Sequence, residues 1–157
     1  FNNLPNVCLF KRRVVKNLGE NIDIRLDQIL SNIEGKNNLL KIDIEGNEYE
    51  IIDDILFNSS IINMMVIEFH WINDKNQIFI DSIKKLKKKF DIIHIHPNNY
   101  RQKKAHEDFF DVVEITLVNK DINQFNKEFR YNFPIKDLDF ECFPNHKKIE
   151  FSFNKNS

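Results

Sequence analysis

A chain of 157 residues is long enough for one domain with a real core and too short for two comfortable ones. Its 41% hydrophobic and 30% charged residues exclude a disordered polymer, and a formal net charge of -1 argues against a general nucleic-acid binder, which carries a basic stripe. No apolar run approaches the roughly 20 residues needed to cross a bilayer, and no signal-peptide pattern opens the chain. Cys8 and Cys142 are too few and too far apart for a disulfide framework or a zinc knuckle, which fits a reducing, cytoplasmic setting. Ala105 is the sole alanine among abundant Asn, Ile, Lys and Phe, a bias that reads as genome composition rather than fold. The chain opens on Phe1 rather than methionine, so the expectation is the remainder of a longer polypeptide.

In chain order, Asn6 to Lys16 is apolar-rich and reads as a strand with imperfect alternation. Leu26, Ile29, Leu30 and Ile33 recur at helical spacing and predict a short amphipathic helix over about 25–34. Asn37 and Asn38 close it, and Leu39 to Glu45 reads as a strand ended by a Gly46-Asn47 turn. Ile51, Ile52, Ile55 and Leu56 form the apolar stripe of a second helix, with Glu48 and Glu50 in its first turn where the helix dipole favours acids. Asn63 to His70 is the next strand. Phe79, Ile83, Leu86 and Phe90 mark one face of a third helix, whose other face, Lys84, Lys85 and Lys87 to Lys89, reads as solvated rather than phosphate-binding. Phe90 to His96 is a strand stopped by Pro97, and Asp111 to Val118 is another. Residues 131–157 read as a covering tail. Strands alternating with helices predict an α/β domain of parallel βαβ units over 1–157. The last two strands lack an intervening helix, so an antiparallel pair is expected there.

Side-chain parity carries the sharpest functional inference, because successive strand residues point to opposite sides. Lys41, Asp43 and Glu45 share one face, as do Glu68 with His70, His94 with His96, and Glu114 with Thr116. Four strands therefore each carry polar groups at alternate positions, three of them near the carboxyl end, where open α/β sheets bind ligands. Charge in a sheet covered on both faces must pair, bind a ligand or reach water. For Lys41, pairing with Glu68 or Glu114 and a functional role stay equally open. Asp43 and Glu45 beside the Gly46 turn favour a functional reading, and so do His70 and His96. His94 reads equally well as a satisfied core histidine, and His106 and His146 carry no assignment.

The segments LDQIL, LLKIDIEGNEYEII and VIEFH together resemble the FkbM-type S-adenosylmethionine-dependent methyltransferases. These show an LD-x-x-L segment, a K-x-D-x-E-G-x-E strand-turn-helix and a later strand ending in an acid. IHIHPNNY, VVEITLV and YNFPIKDLDFECFPN are similar to the downstream half of one branch, so the resemblance runs from about Leu26 to Asn145. It implies a Rossmann-like methyltransferase sheet of which Leu39 to Glu45 is the fourth strand. It also implies that Asp43 approaches the cofactor, that Glu45 and Gly46 shape the turn, and that Glu68 and His70 end the next strand. With the parity reading, the expected cofactor-binding set is Asp43, Glu45 and Gly46 and the expected catalytic set Asp43, Glu68, His70 and His96. Gly19, Gly35 and Gly46 are the only glycines and form no glycine-rich cofactor loop, so the first two or three strands are expected to be missing.

Three functions compete. The first is an O-methyltransferase acting on a hydroxyl of a sugar, glycan or other small acceptor, with His70 or His96 as the base and Asp43 placing cofactor or acceptor. The second is a metal-dependent hydrolase using Asp43, Glu45, Glu68, His70 and His96 as oxygen and nitrogen ligands. A divalent metal also suits some methyltransferases, so it does not separate the two. The third is a non-catalytic binding module whose exposed sheet edge pairs with another chain, which leaves a homo-oligomer open.

Overall fold

Four isoleucines, one from each of four strands, line up across the central sheet and set which side becomes the core. The computed structural model describes residues 12–33, 38–100, 110–122 and 132–153. Its four-stranded sheet has the order β3-β4-β6-β5, from β3 (Leu39–Ile42), β4 (Met64–Phe69), β5 (Phe90–Pro97) and β6 (Val113–Asn119). β3 runs parallel to β4, and β6 is antiparallel to both its neighbours. The final antiparallel pair is thus present, with β6 inserted between β4 and β5.

The register pairs Ile42 with Ile67, Ile67 with Ile115 and Ile115 with Ile95. A second apolar row runs Leu40, Met65, Leu117, Ile92. These rows pack against residues of α1 (Leu26–Leu30), α2 (Ile52–Phe57) and α3 (Asn76–Leu86), with Ile52, Ile55 and Leu86 almost wholly buried. Phe69 extends the core, tilted against Tyr49 at 5.5 Å and edge-on to Phe79 at 5.3 Å. The opposite side carries Lys41, Glu68, Glu114, Thr116, His94 and His96, because directly paired residues face the same way. In β5 this needs a bulge at Ile93, which breaks the alternation between Ile92 and His94.

Several predicted elements are trimmed. The first strand is seen as β1 (Arg13–Val14), paired with β2 (Asp23–Ile24); the part of it before residue 12 lies outside the described residues. The strand predicted to Glu45 stops at Ile42, since Glu45 and Gly46 take positive φ of 54° and 103°. The second helix begins as a 3-10 turn over Glu48–Ile51. Phe90 does not continue the third helix face but opens β5, fully buried. The lysine run lies in the last turn of α3 and just beyond it, where the dipole favours cations, and Lys85 reaches Asp53 of α2 at 2.8 Å.

The segment 132–153 forms a small pair, β7 (Asn132–Phe133) with β8 (Phe151–Ser152). Phe133 stacks on Phe151 at 4.9 Å, and Phe151 meets Phe110 and Phe153. Buried Asn99 holds the segment by exchanging two hydrogen bonds with the backbone of Phe143, each 2.9 Å. Among the described residues no helix is long and apolar enough to cross a membrane.

Two outcomes test this packing. Ile67→Ala removes the centre of the isoleucine row and is expected to cost about 2–5 kcal/mol, read as a lower urea midpoint. At the β1-β2 pair, the Arg13 guanidinium and the Gly19 and Glu20 amides hold the Asp23 carboxyl down, from 3.8 to about 2. A depressed folded value stabilises above the unfolded one, and that gain fades as pH falls through the folded one. The stability difference between the native chain and Asp23→Asn should therefore shrink from about pH 5 to about pH 2 in thermal melts.

Candidate active site

The turn after β3 is built around one carboxylate. Glu48 is fully buried, and its Oε1 accepts the backbone N–H of Ile44 at 3.2 Å and of Gly46 at 3.0 Å. The positive φ at Glu45 and Gly46 turns the chain so that both amides reach the same oxygen. The same Oε1 lies 2.9 Å from His70 Nδ1, at the end of β4. An oxygen that already accepts two amide N–H bonds acts as acceptor, so His70 Nδ1 donates to it and Nε2 is the nitrogen left facing out. Glu48 Oε2 is buried with no hydrogen-bond partner.

His70 Nε2 points to the mouth of the turn. Asp43 Oδ1 lies 3.8 Å from it and Glu45 Oε2 3.6 Å, both on exposed side chains, while the His70 side chain is only 8% exposed. Asp43, Glu68 and His70 form a compact group whose donor atoms all lie within 4.8 Å of one another. Glu68 Oε1 accepts a 2.9 Å bond from Asn98 Nδ2.

A second layer fixes this arrangement. Tyr49 donates its hydroxyl to the His70 carbonyl at 2.6 Å, and burial beside the Glu48 and Asp111 charges pushes that hydroxyl well above its ordinary range, keeping it a donor. Lys75 donates to the Gly46 carbonyl at 2.7 Å and sits 5.0 Å over the Tyr49 ring. Trp71, itself at positive φ, lays its indole against Gly46, where a Cβ would come within 2.7 Å of Cδ1. Both backbone polar groups of Gly46 are thus engaged inside the turn.

The other polar residues of the sheet lie apart from His70. Lys41 pairs with Glu114 at 2.6 Å, the first of the two readings the sequence left open. His96 faces Glu114, which in turn faces Glu68, so His96 stands two strands away from Glu68, roughly 10 Å. It gathers instead with His94 and Asp139: His94 Nε2 is 2.7 Å and His96 Nδ1 3.4 Å from Asp139 Oδ1. Of the residues singled out in the sequence, Asp43, Glu45, Glu68 and His70 therefore meet, Gly46 supports the turn beneath them, and His96 belongs to a separate cluster. His106 lies outside the described residues, and His146 bonds the Asn99 carbonyl through Nδ1. Glu48, Tyr49, Trp71, Lys75 and Asn98 were not assigned from sequence. Only Glu48 had a signal there, as the last acid of the strand-turn-helix motif.

The family model described as the Methyltransferase FkbM domain matches residues 20–133, well over half of the chain. The chain belongs to this methyltransferase family. No curated protein and no solved structure shows a significant match. The matched segment contains the whole turn from Asp43 to Glu48 and the His70 end of β4, and stops before Asp139. A mixed α/β sheet ending in an antiparallel pair is consistent with this domain.

Gly46→Ala tests the turn. Strain at positive φ is expected to cost about 1–3 kcal/mol, with the added Cβ forcing Trp71 outward. Trp71 is the single tryptophan, so the variant should show a red-shifted emission together with a lower denaturation midpoint.

Proposed function

We propose that this chain is the acceptor-side part of an S-adenosylmethionine-dependent O-methyltransferase acting on a hydroxyl of a sugar, glycan or other small acceptor. In this reading 1–157 is one portion of a partial Rossmann-like domain, with 131–157 as its covering tail. The observation that carries it is the Glu48–His70 dyad within a chain that belongs to the FkbM family. Such a dyad holds the imidazole in one tautomer with its free nitrogen facing the cleft, as a general base requires.

The donor set suits the charged end of the cofactor. Asp43 and Glu45 present two exposed carboxylates beside His70, complementary to a cationic sulfonium or ammonium group. Among the described residues no glycine-rich loop supplies a cradle for the adenosyl and methionyl parts, and Gly46 is already filled by Trp71. When bound, S-adenosylmethionine supplies an electrophilic methyl group. The residues of this chain then act on the acceptor: His70 Nε2 takes the hydroxyl proton, while Glu48 keeps the ring oriented through Nδ1. Tyr49 fixes the His70 backbone. Asp43 and Glu68 position the acceptor by accepting hydrogen bonds from its other hydroxyls.

A second reading rests on one observation. Asp43, Glu68 and His70 offer two carboxylate oxygens and one nitrogen close together, a set that accepts a divalent cation. Such an ion would orient acceptor oxygens in the methyltransferase, or serve a hydrolase.

The test is calorimetric titration of the full-length protein with S-adenosylmethionine, followed by S-adenosylhomocysteine release with a panel of hydroxylated acceptors. Binding with turnover is expected, and His70→Gln should lower kcat by about a hundredfold to ten-thousandfold while leaving cofactor binding in place. No binding at millimolar cofactor defeats the reading. Activity abolished by chelator yet indifferent to S-adenosylmethionine would favour the hydrolase.

A further inference from the structure

We propose that His94, His96 and Asp139 form a second cation site, selective for a divalent first-row transition metal of the zinc type, which fastens the 132–153 segment to β5. The three donors come from two elements far apart in sequence. His94 and His96 stand two residues apart on β5 and share one face by the regular alternation that follows the bulge at Ile93. Asp139 arrives from the segment beyond β7, and its side chain is only 3% exposed.

The geometry is that of a ligand set rather than a surface pairing. Two imidazole nitrogens converge on one carboxylate oxygen, at 2.7 and 3.4 Å, and all three donor atoms lie within 4.8 Å of one another. Donors around a tetrahedral zinc ion stand roughly 3.3 Å apart, so a small opening of the His94–Asp139 contact admits the ion. The other carboxylate oxygen is held by the Ile135 N–H at 2.6 Å, an outer contact that aims Oδ1 at the histidines. His94 Nδ1 is buried with no hydrogen-bond partner, so Nε2 is the nitrogen that the ring presents to Asp139.

The donor chemistry names the class of ion. Two imidazoles with one carboxylate suit zinc and its neighbours, whereas magnesium and calcium prefer oxygen sets. An open cavity lies beside the cluster, lined by His96 and Asp139 together with Pro97, Phe140, Glu141 and Lys148. A water or small anion can enter there and complete the coordination shell. The site is separate from the His70 turn, and it does not rest on the methyl-transfer reading.

The experiment is Zn2+ titration of the full chain by calorimetry, with Mg2+ as comparator, on the native protein and on Asp139→Asn, His96→Gln and His70→Gln. The expected result is zinc binding that Asp139→Asn and His96→Gln each weaken by about a hundredfold. His70→Gln should leave it intact, and Mg2+ should give no signal at this site. Because substitution in the cluster can loosen the tail, a measurement on the unmutated chain stands beside it. Co2+ should broaden the imidazole NMR signals of His94 and His96 before that of His70. The proposal is overturned by no zinc binding at micromolar concentration, by binding lost in His70→Gln but kept in Asp139→Asn, or by broadening confined to His70.

Discussion

A single buried oxygen organises this molecule. Glu48 Oε1 takes the amide protons of Ile44 and Gly46 and the Nδ1 proton of His70, so one atom joins the end of β3, the turn and the end of β4. A carboxylate wholly removed from water is tolerable only when such bonds replace its hydration. The reverse dependence is just as strong. Both amides can reach that oxygen only because Glu45 and Gly46 adopt left-handed backbone, and Gly46 does so under the indole of Trp71. The strained turn, the buried acid and the histidine are therefore one unit, and its position is set by the parallel pairing of β3 with β4.

The sheet tolerates so many polar groups because its two sides face different environments. On the helix side the isoleucine row and the row beneath it are apolar across all four strands. On the other side each charge finds a local answer: Lys41 with Glu114, Glu68 with Asn98, and the two β5 histidines with Asp139. No helix of the described residues covers that face. The 132–153 segment crosses part of it, and Glu68 and Glu114 lie close enough to Cys142 to push its thiol up, after the larger effect of burial. This arrangement avoids the cost of burying unpaired charge on both faces while keeping a polar wall beside the turn.

Much of this was legible from alternation alone. Parity correctly grouped Lys41, Glu68, Glu114, Thr116, His94 and His96 on one face, since strand geometry leaves no other choice once the strands are found. It could not foresee the bulge at Ile93, without which Ile92 and His94 would share a side. Nor could it measure distance along that face, so His70 and His96 looked like neighbours although two strand spacings part Glu68 from His96. Glu48 read as an acid favoured by the helix dipole, because nothing local reveals that the first turn folds inward as a 3-10 helix. Trp71, Lys75 and Asp139 carried no signal at all. Their roles depend on positive-φ backbone or on contacts spanning tens of residues, neither of which has a sequence period.

The two histidine–carboxylate units use the same side chains for opposite ends. At His70 the carboxylate sits behind the ring at Nδ1, and the free nitrogen looks out toward Asp43 and Glu45. That nitrogen is fixed in direction, with two exposed carboxylates beyond it. At His94 and His96 the carboxylate stands in front of both rings, so the nitrogens aim inward at one shared oxygen. One carboxylate oxygen there meets two imidazole nitrogens, the convergence that a small cation held by all three would use. The same side chains thus divide by orientation: one nitrogen faces outward at His70, and two face inward on Asp139.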